Sequence, residues 1–162
     1  MKNKRVSIIT KAGIIAALYV ILTYVSSLLG ISSGVIQCRL SEALTVLPYI
    51  TFSAVPGLFV GCLISNILFS GVVLDIVFGS IATLIGAVIT YLLRNKSVYF
   101  APIGPIVANT VIVPFVLRYA YGMQDAFWFM ALTVFIGEVI SCGVFGLMLY
   151  FSSKNRLSGL LK

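Results

Sequence analysis

From about Ile8 onward the chain is a succession of apolar runs, broken at glycines, prolines and small clusters of charge. The runs are continuous, as in Ile14 to Leu22 and Leu132 to Ile136. A membrane-spanning β-strand alternates apolar and polar positions, so this pattern predicts helices. A bilayer core of about 30 Å takes about 20 apolar residues at 1.5 Å each, and 162 residues leave room for six or seven such spans. Span 1 covers about 8–29 and stops at Gly30, ahead of the small polar loop of Ser32, Ser33 and Gly34 that leads to Gln37 and Arg39. The next apolar region, 40–70, is too long for one span and carries Pro48 and Pro56. It divides into a short span 2 at 40–52 and a span 3 at 54–70, with a tight turn near Thr51 to Ser53. Pro56 suits the first turn of a helix, where its missing N–H is not needed. Span 4 is expected at about 72–93, closed by Arg94, Asn95 and Lys96, span 5 at 100–121 with Pro102, Pro105 and Pro114, and span 6 at 126–151. The expected fold is an all-α integral membrane protein of six transmembrane helices forming one domain over 1–162.

Composition agrees with that pattern and narrows the function. Hydrophobic residues make up 60% of the chain and charged ones 9%, against about 25% charged in soluble domains; the mean hydropathy is +1.15. A soluble enzyme core and a disordered chain are both excluded. Lys2, Lys4 and Arg5 before an apolar stretch resemble a signal peptide, but the run from Ala12 to Leu29 exceeds the usual 7–15-residue core of one, so it reads as a retained first span. Cys38, Cys62 and Cys142 have neither a CxxC spacing nor an even count, which indicates buried thiols rather than a metal site or disulfides. No cofactor is implied. Histidine is absent, removing the commonest metal ligand and general base. The P-loop pattern G-x-x-x-x-G-K-[ST] is also absent, so the sequence offers no ATPase site of its own.

Charge fixes the expected orientation. With six spans, one side of the membrane collects Lys2, Lys4, Arg5, Lys11, Arg94, Lys96, Lys154, Arg156 and Lys162, leaving Arg39 and Arg118 on the other. The positive-inside rule then predicts that both termini are cytoplasmic. The net charge of +7 is a topology signal with some contact to anionic lipid, and nucleic-acid binding, which needs a concentrated basic face, is not expected.

The chain has four carboxylates, Glu42, Asp75, Asp125 and Glu138, and one at mid-bilayer costs about 2.5–3.5 kcal/mol. Glu138 falls near the middle of span 6; Glu42 and Asp75 fall near the outer ends of spans 2 and 4. Asp125 precedes span 6, where a helix-start role fits it. Arg39 and Glu42 are spaced i, i+3, which fits an interfacial salt bridge as well as ligand contact. Asn66 on span 3 and Asn109 on span 5 can bond across helices for the fold alone, yet with the carboxylates they outline an outward-facing polar pocket. Tyr119, Tyr121, Phe127 and Trp128 read as an interfacial belt, with stacking on a flat ligand the other role open to any one of them, Trp128 included. At the start of span 1, Ala12 with Ala16 and Gly13 with Ala17 are small residues one turn apart, a smooth stripe for close helix approach.

The six-span layout, the cytoplasmic termini and the A-x-x-x-A pair resemble the substrate-binding S components of energy-coupling factor (ECF) transporters. More specifically, the segments from Arg39 to Pro48 (RLSEALTVLP), from Ala54 to Cys62 with Asn66, and from Leu74 to Ser80 (LDIVFGS) resemble the QueT family of queuosine-precursor transporters. The resemblance implies capture of a 7-deazaguanine base from outside, then toppling onto a transmembrane coupling subunit and two ABC ATPases, with Ala12, Ala16, Ala17 and Gly13 as the docking face. Such a base offers an N–H and amino pair that one carboxylate accepts, and an aminomethyl arm calls for a second carboxylate. Glu138, Asn109, Glu42, Asp75, Asn66, Arg39 and Trp128 are the candidate contacts. An S component for a different vitamin-like substrate and a stand-alone proton-coupled transporter using Glu138 are the alternatives; an enzyme has little to work with.

Overall fold

A computed structural model describes residues 2–31 and 38–152. The expected loop residues Ser32, Ser33, Gly34 and Gln37, the tail cations Lys154, Arg156 and Lys162, and the side chains of Lys2 and Lys4 lie outside the described residues. Among those described there is no strand. Helix α1 (Lys2–Leu28) is followed by a 3₁₀ helix (Leu40–Tyr49), α2 (Ala54–Phe69), α3 (Ser80–Leu92) with a π-helical start at Asp75–Gly79, α4 (Ile103–Tyr119), and α5 (Phe127–Glu138), which continues through a π-helical stretch at Val139–Phe145. Four helical segments, Arg5–Leu28, Asp75–Asn95, Val98–Tyr119 and Phe127–Ser152, are long and apolar enough to cross a membrane, and Ala54–Phe69 is a shorter apolar helix.

The helix ends explain themselves. Gly30, Gly71 and Gly122 adopt φ near +70°, the left-handed conformation that glycine reaches without a Cβ penalty, and they close α1, α2 and α4. Pro102 stands at the N-cap of α4, and Pro56 falls in the first turn of α2. The outside of the bundle is apolar: Ile9, Ile14, Leu18 and Ile21 on α1, Val107, Val111 and Phe115 on α4, and Leu132 and Phe135 on α5 are all exposed. That inversion of the soluble pattern is what lipid requires of a helix surface.

The expected span 2 takes a different form. It is a ten-residue 3₁₀ helix whose residues Ser41 to Pro48 are all buried. One end, at Arg39, lies by Asp75, and at the other the Tyr49 hydroxyl donates to the Lys96 carbonyl at 2.8 Å. At a rise of about 2.0 Å per residue, ten residues reach about 20 Å, where an α-helix would reach about 15 Å. The tighter winding lets a short segment thread the bundle interior. Its contacts with α1 and α2 carry the larger core, which gathers Ile15, Tyr19, Leu44, Leu47, Ala54, Val55, Leu58, Cys62 and Ala87. A smaller cluster of Leu117, Met130 and Val134 joins α4 to α5.

Helix α1 lies directly on α2. A Cβ on Gly57 would stand 2.8 Å from the Ala12 carbonyl, and one on Gly61 would stand 2.8 Å from the Tyr19 Cβ and 3.0 Å from the Ala16 carbonyl. The small-residue stripe therefore splits. Ala12 and Ala16 pack against α2 within the chain, which corrects the expectation that they form an open docking face, while Gly13 and Ala17, about 100° round the helix, are exposed. The reason is that the two pairs occupy adjacent rows of the same helix, and only one row can face α2.

Candidate functional site

At the end of the bundle that carries the Gly71 and Gly122 turns, a cavity is lined by Arg39, Glu42, Asp75, Gly79, Thr83, Asn109, Val113, Val134 and Glu138. Its volume of about 20 Å³ holds about one water molecule. Five of the seven expected contact residues meet here from four elements. The 3₁₀ winding presents Glu42 and Thr45 in one row, because side chains three apart eclipse in that helix, and Arg39 enters the cavity from the extended residue just before it. The π-helical stretches supply Asp75 and Gly79 on one wall and run on from Glu138 on another. Such π-helical insertions are frequent at functional sites.

The carboxylates are held in different ways. Glu138 accepts from the Asn109 amide at 2.8 Å on Oε1 and from the Cys142 thiol at 3.0 Å on Oε2. Cys142 in turn accepts from the Thr45 hydroxyl at 3.4 Å. Asp75 Oδ2 accepts from the Tyr121 hydroxyl at 2.9 Å and lies 4.0 Å from the Arg39 guanidinium. Glu42 accepts on Oε1 from the Tyr19 hydroxyl, and its Oε2 is buried with no partner. Glu42, Glu138 and Cys142 bring their ligating atoms within 4.8 Å of one another. This donor set of two carboxylates and a thiol was hidden by sequence spacing; as arranged, the thiol is occupied as a donor to Glu138.

Several expectations need correction. Arg39 does not pair with Glu42: it stands in extended conformation before the 3₁₀ helix, with φ −107° and ψ 111°, so helical i, i+3 geometry does not apply and its guanidinium turns to Asp75. Asn66 is buried behind the cavity wall, donating to the Asp75 carbonyl at 3.1 Å and to the Cys62 sulfur at 3.6 Å, and it supports the π-helical turn rather than lining the cavity. Trp128 is 70% exposed with its ring edge-on to Phe129. It sits in the first turn of α5, roughly 100° round the helix from the row of Val134 and Glu138 that faces the cavity. Asp125 does not cap α5: Ala126 is the N-cap and no side-chain hydrogen bond closes that end. Tyr19 and Thr83 are the site residues that sequence reasoning missed, and Tyr121, read as part of the belt, is tied to Asp75. The only signal for Tyr19 is that a buried tyrosine hydroxyl requires a partner.

A cavity ringed by ionisable side chains, inside a bundle whose outside is apolar, is what a membrane carrier of a polar solute requires. The family model for the QueT transporter matches residues 9–155. This chain belongs to the QueT transporter family. Among QueT relatives, the "Queuosine precursor transporter QueT" of Lactococcus lactis subsp. cremoris (strain MG1363) is 41% identical over 101 residues, which is 61% of this chain and 59% of that protein. The match thus spans less than two thirds of the relative's length. No solved structure matches.

Proposed function

We propose that this QueT-family chain is the substrate-capture S component of an ECF-type importer, taking a queuosine precursor of the 7-deazaguanine class from outside the cell. The observation that carries the reading is the charge inventory of the cavity: three carboxylates, Glu42, Asp75 and Glu138, around one guanidinium, Arg39. Such a ring is matched by a ligand rich in N–H donors and bearing a cationic arm, as an aminomethyl deazaguanine does. Arg39 and the Asn109 amide are the donors available to a ring carbonyl. Both termini and the Arg94 to Lys96 turn face the cytoplasm in this reading, so the cavity lies toward the outer face.

Release inward falls to a coupling subunit and two ABC ATPases, and the exposed pair Gly13 and Ala17 on α1 is the face offered to the coupling subunit. Thermal-shift titration of the detergent-purified protein tests the capture step. Deazaguanine bases should raise the midpoint saturably, while guanine and vitamins should do so weakly or not at all; no saturable shift with any deazaguanine overturns the proposal. Docking is tested by Ala17→Trp, which should abolish uptake in cells carrying the partner subunits while leaving the thermal shift intact.

A further inference from the structure

We propose that the Glu42 carboxylate, braced by Tyr19, is the group that reads the paired N–H donors of the bound base, and that Glu138 is not. The assignment rests on the capture reading above and asks which of three carboxylates the ligand meets. Both oxygens of Glu138 are committed within the chain, to Asn109 and Cys142. Asp75 Oδ2 is shared by Tyr121 and Arg39. Glu42 alone of the three has an oxygen, Oε2, that is fully buried and unpartnered. Among the described residues two other buried side-chain oxygens lack partners, those of Ser41 and Thr110, but neither residue lines the cavity.

A buried acceptor left unmade costs free energy that a hydrogen bond restores, so the fold holds Oε2 ready for a donor it does not itself supply. Oε1, with one lone pair taken by the Tyr19 hydroxyl, keeps a second for another donor. The two oxygens together match an edge presenting two parallel N–H groups, as the ring N–H and 2-amino group of a guanine-type base do. The Tyr19 bond fixes the plane of the carboxylate, and Tyr19 is itself pinned, since its Cβ lies against Gly61 of α2. Glu42 is therefore a specificity-determining residue and Tyr19 its positioning residue.

Isothermal titration with 7-aminomethyl-7-deazaguanine and with the analogue carrying hydrogen in place of the 2-amino group tests this assignment. The wild-type protein should bind the analogue about 10- to 100-fold more weakly, the worth of a charge-assisted hydrogen bond. In Glu42→Gln that ratio should collapse to within about threefold. In Glu138→Gln both ligands should weaken alike and the ratio persist. A full ratio in Glu42→Gln, or its collapse in Glu138→Gln alone, overturns the assignment while leaving capture standing. A wild-type protein that binds neither ligand removes the capture reading as well. Should Glu42→Gln not yield folded protein, Tyr19→Phe decides: the ratio should fall about 3- to 10-fold from the wild-type value as the brace is lost, and an unchanged ratio rejects the proposal.

Discussion

The α1–α2 crossing and the carboxylate cavity join helices of the same bundle by opposite means. At the crossing, Gly57 and Gly61 remove their side chains so that Ala12 and Ala16 can rest on bare backbone. At the cavity, side chains stay large and polar, and Asn109, Cys142, Tyr19 and Tyr121 spend their donors on carboxylates. Lipid tails are as apolar as leucine, so helices in a membrane associate through close packing or through hydrogen bonds rather than through the hydrophobic effect. The first means gives a fixed shape. The second leaves a buried acceptor, Glu42 Oε2, without a partner in the chain, which the crossing does not.

The crossing is where a substitution should cost most. Gly61→Leu places its Cβ against Tyr19 and the Ala16 carbonyl, an overpacking expected to cost about 3 kcal/mol and to lower the thermal midpoint in detergent by about 6–12 °C; a midpoint like the wild type's would show that the close approach does not hold the bundle. Asn109→Ala comes next. It strands Glu138 Oε1 and should destabilise by about 1–3 kcal/mol, with weaker ligand binding in the same titration. A pair of glycines on either side of the crossing should then move in opposite directions: Gly13, with no atom within 4 Å of an added Cβ, should gain about 0.5–1 kcal/mol as Gly13→Ala, whereas Gly57→Ala should lose stability. Equal effects of the two would remove the distinction between the packed and open faces of α1. The smallest effect is expected from Tyr121→Phe, where a part-buried hydrogen bond is lost and Asp75 keeps Arg39 nearby; about 0.5 kcal/mol is expected by denaturation.

Much of this architecture is written in the hydrophobic runs. The ends of α1 and α2, the turn near Thr51 to Ser53 and the proline positions of α4 follow from residues whose backbone preferences are local. Glu138 and Asn109 stand out because a polar side chain in an apolar run needs a reason, and the structure places them 2.8 Å apart. What local sequence does not carry is the winding. Nothing in Leu40 to Tyr49 distinguishes a 3₁₀ rise from an α rise except the length that must be threaded, and the π-helical stretches at Asp75–Gly79 and Val139–Phe145 are likewise set by packing. The approach of Arg39 to Asp75 is hidden for the same reason, since it depends on the extended backbone by which Arg39 enters the 3₁₀ helix. Tyr19 was invisible because its role depends on a contact 23 residues away.

The size of the cavity has a kinetic consequence. Space for one water cannot admit the bicyclic base proposed above, so on that proposal the walls separate before it enters. The apparent affinity is then the intrinsic affinity multiplied by the fraction of molecules that are open. Stopped-flow association should show an observed rate that levels off with rising ligand concentration, at a plateau set by how often the bundle opens. Substitutions that loosen the Asn109 and Tyr121 contacts should raise that plateau even as they shorten the lifetime of the complex.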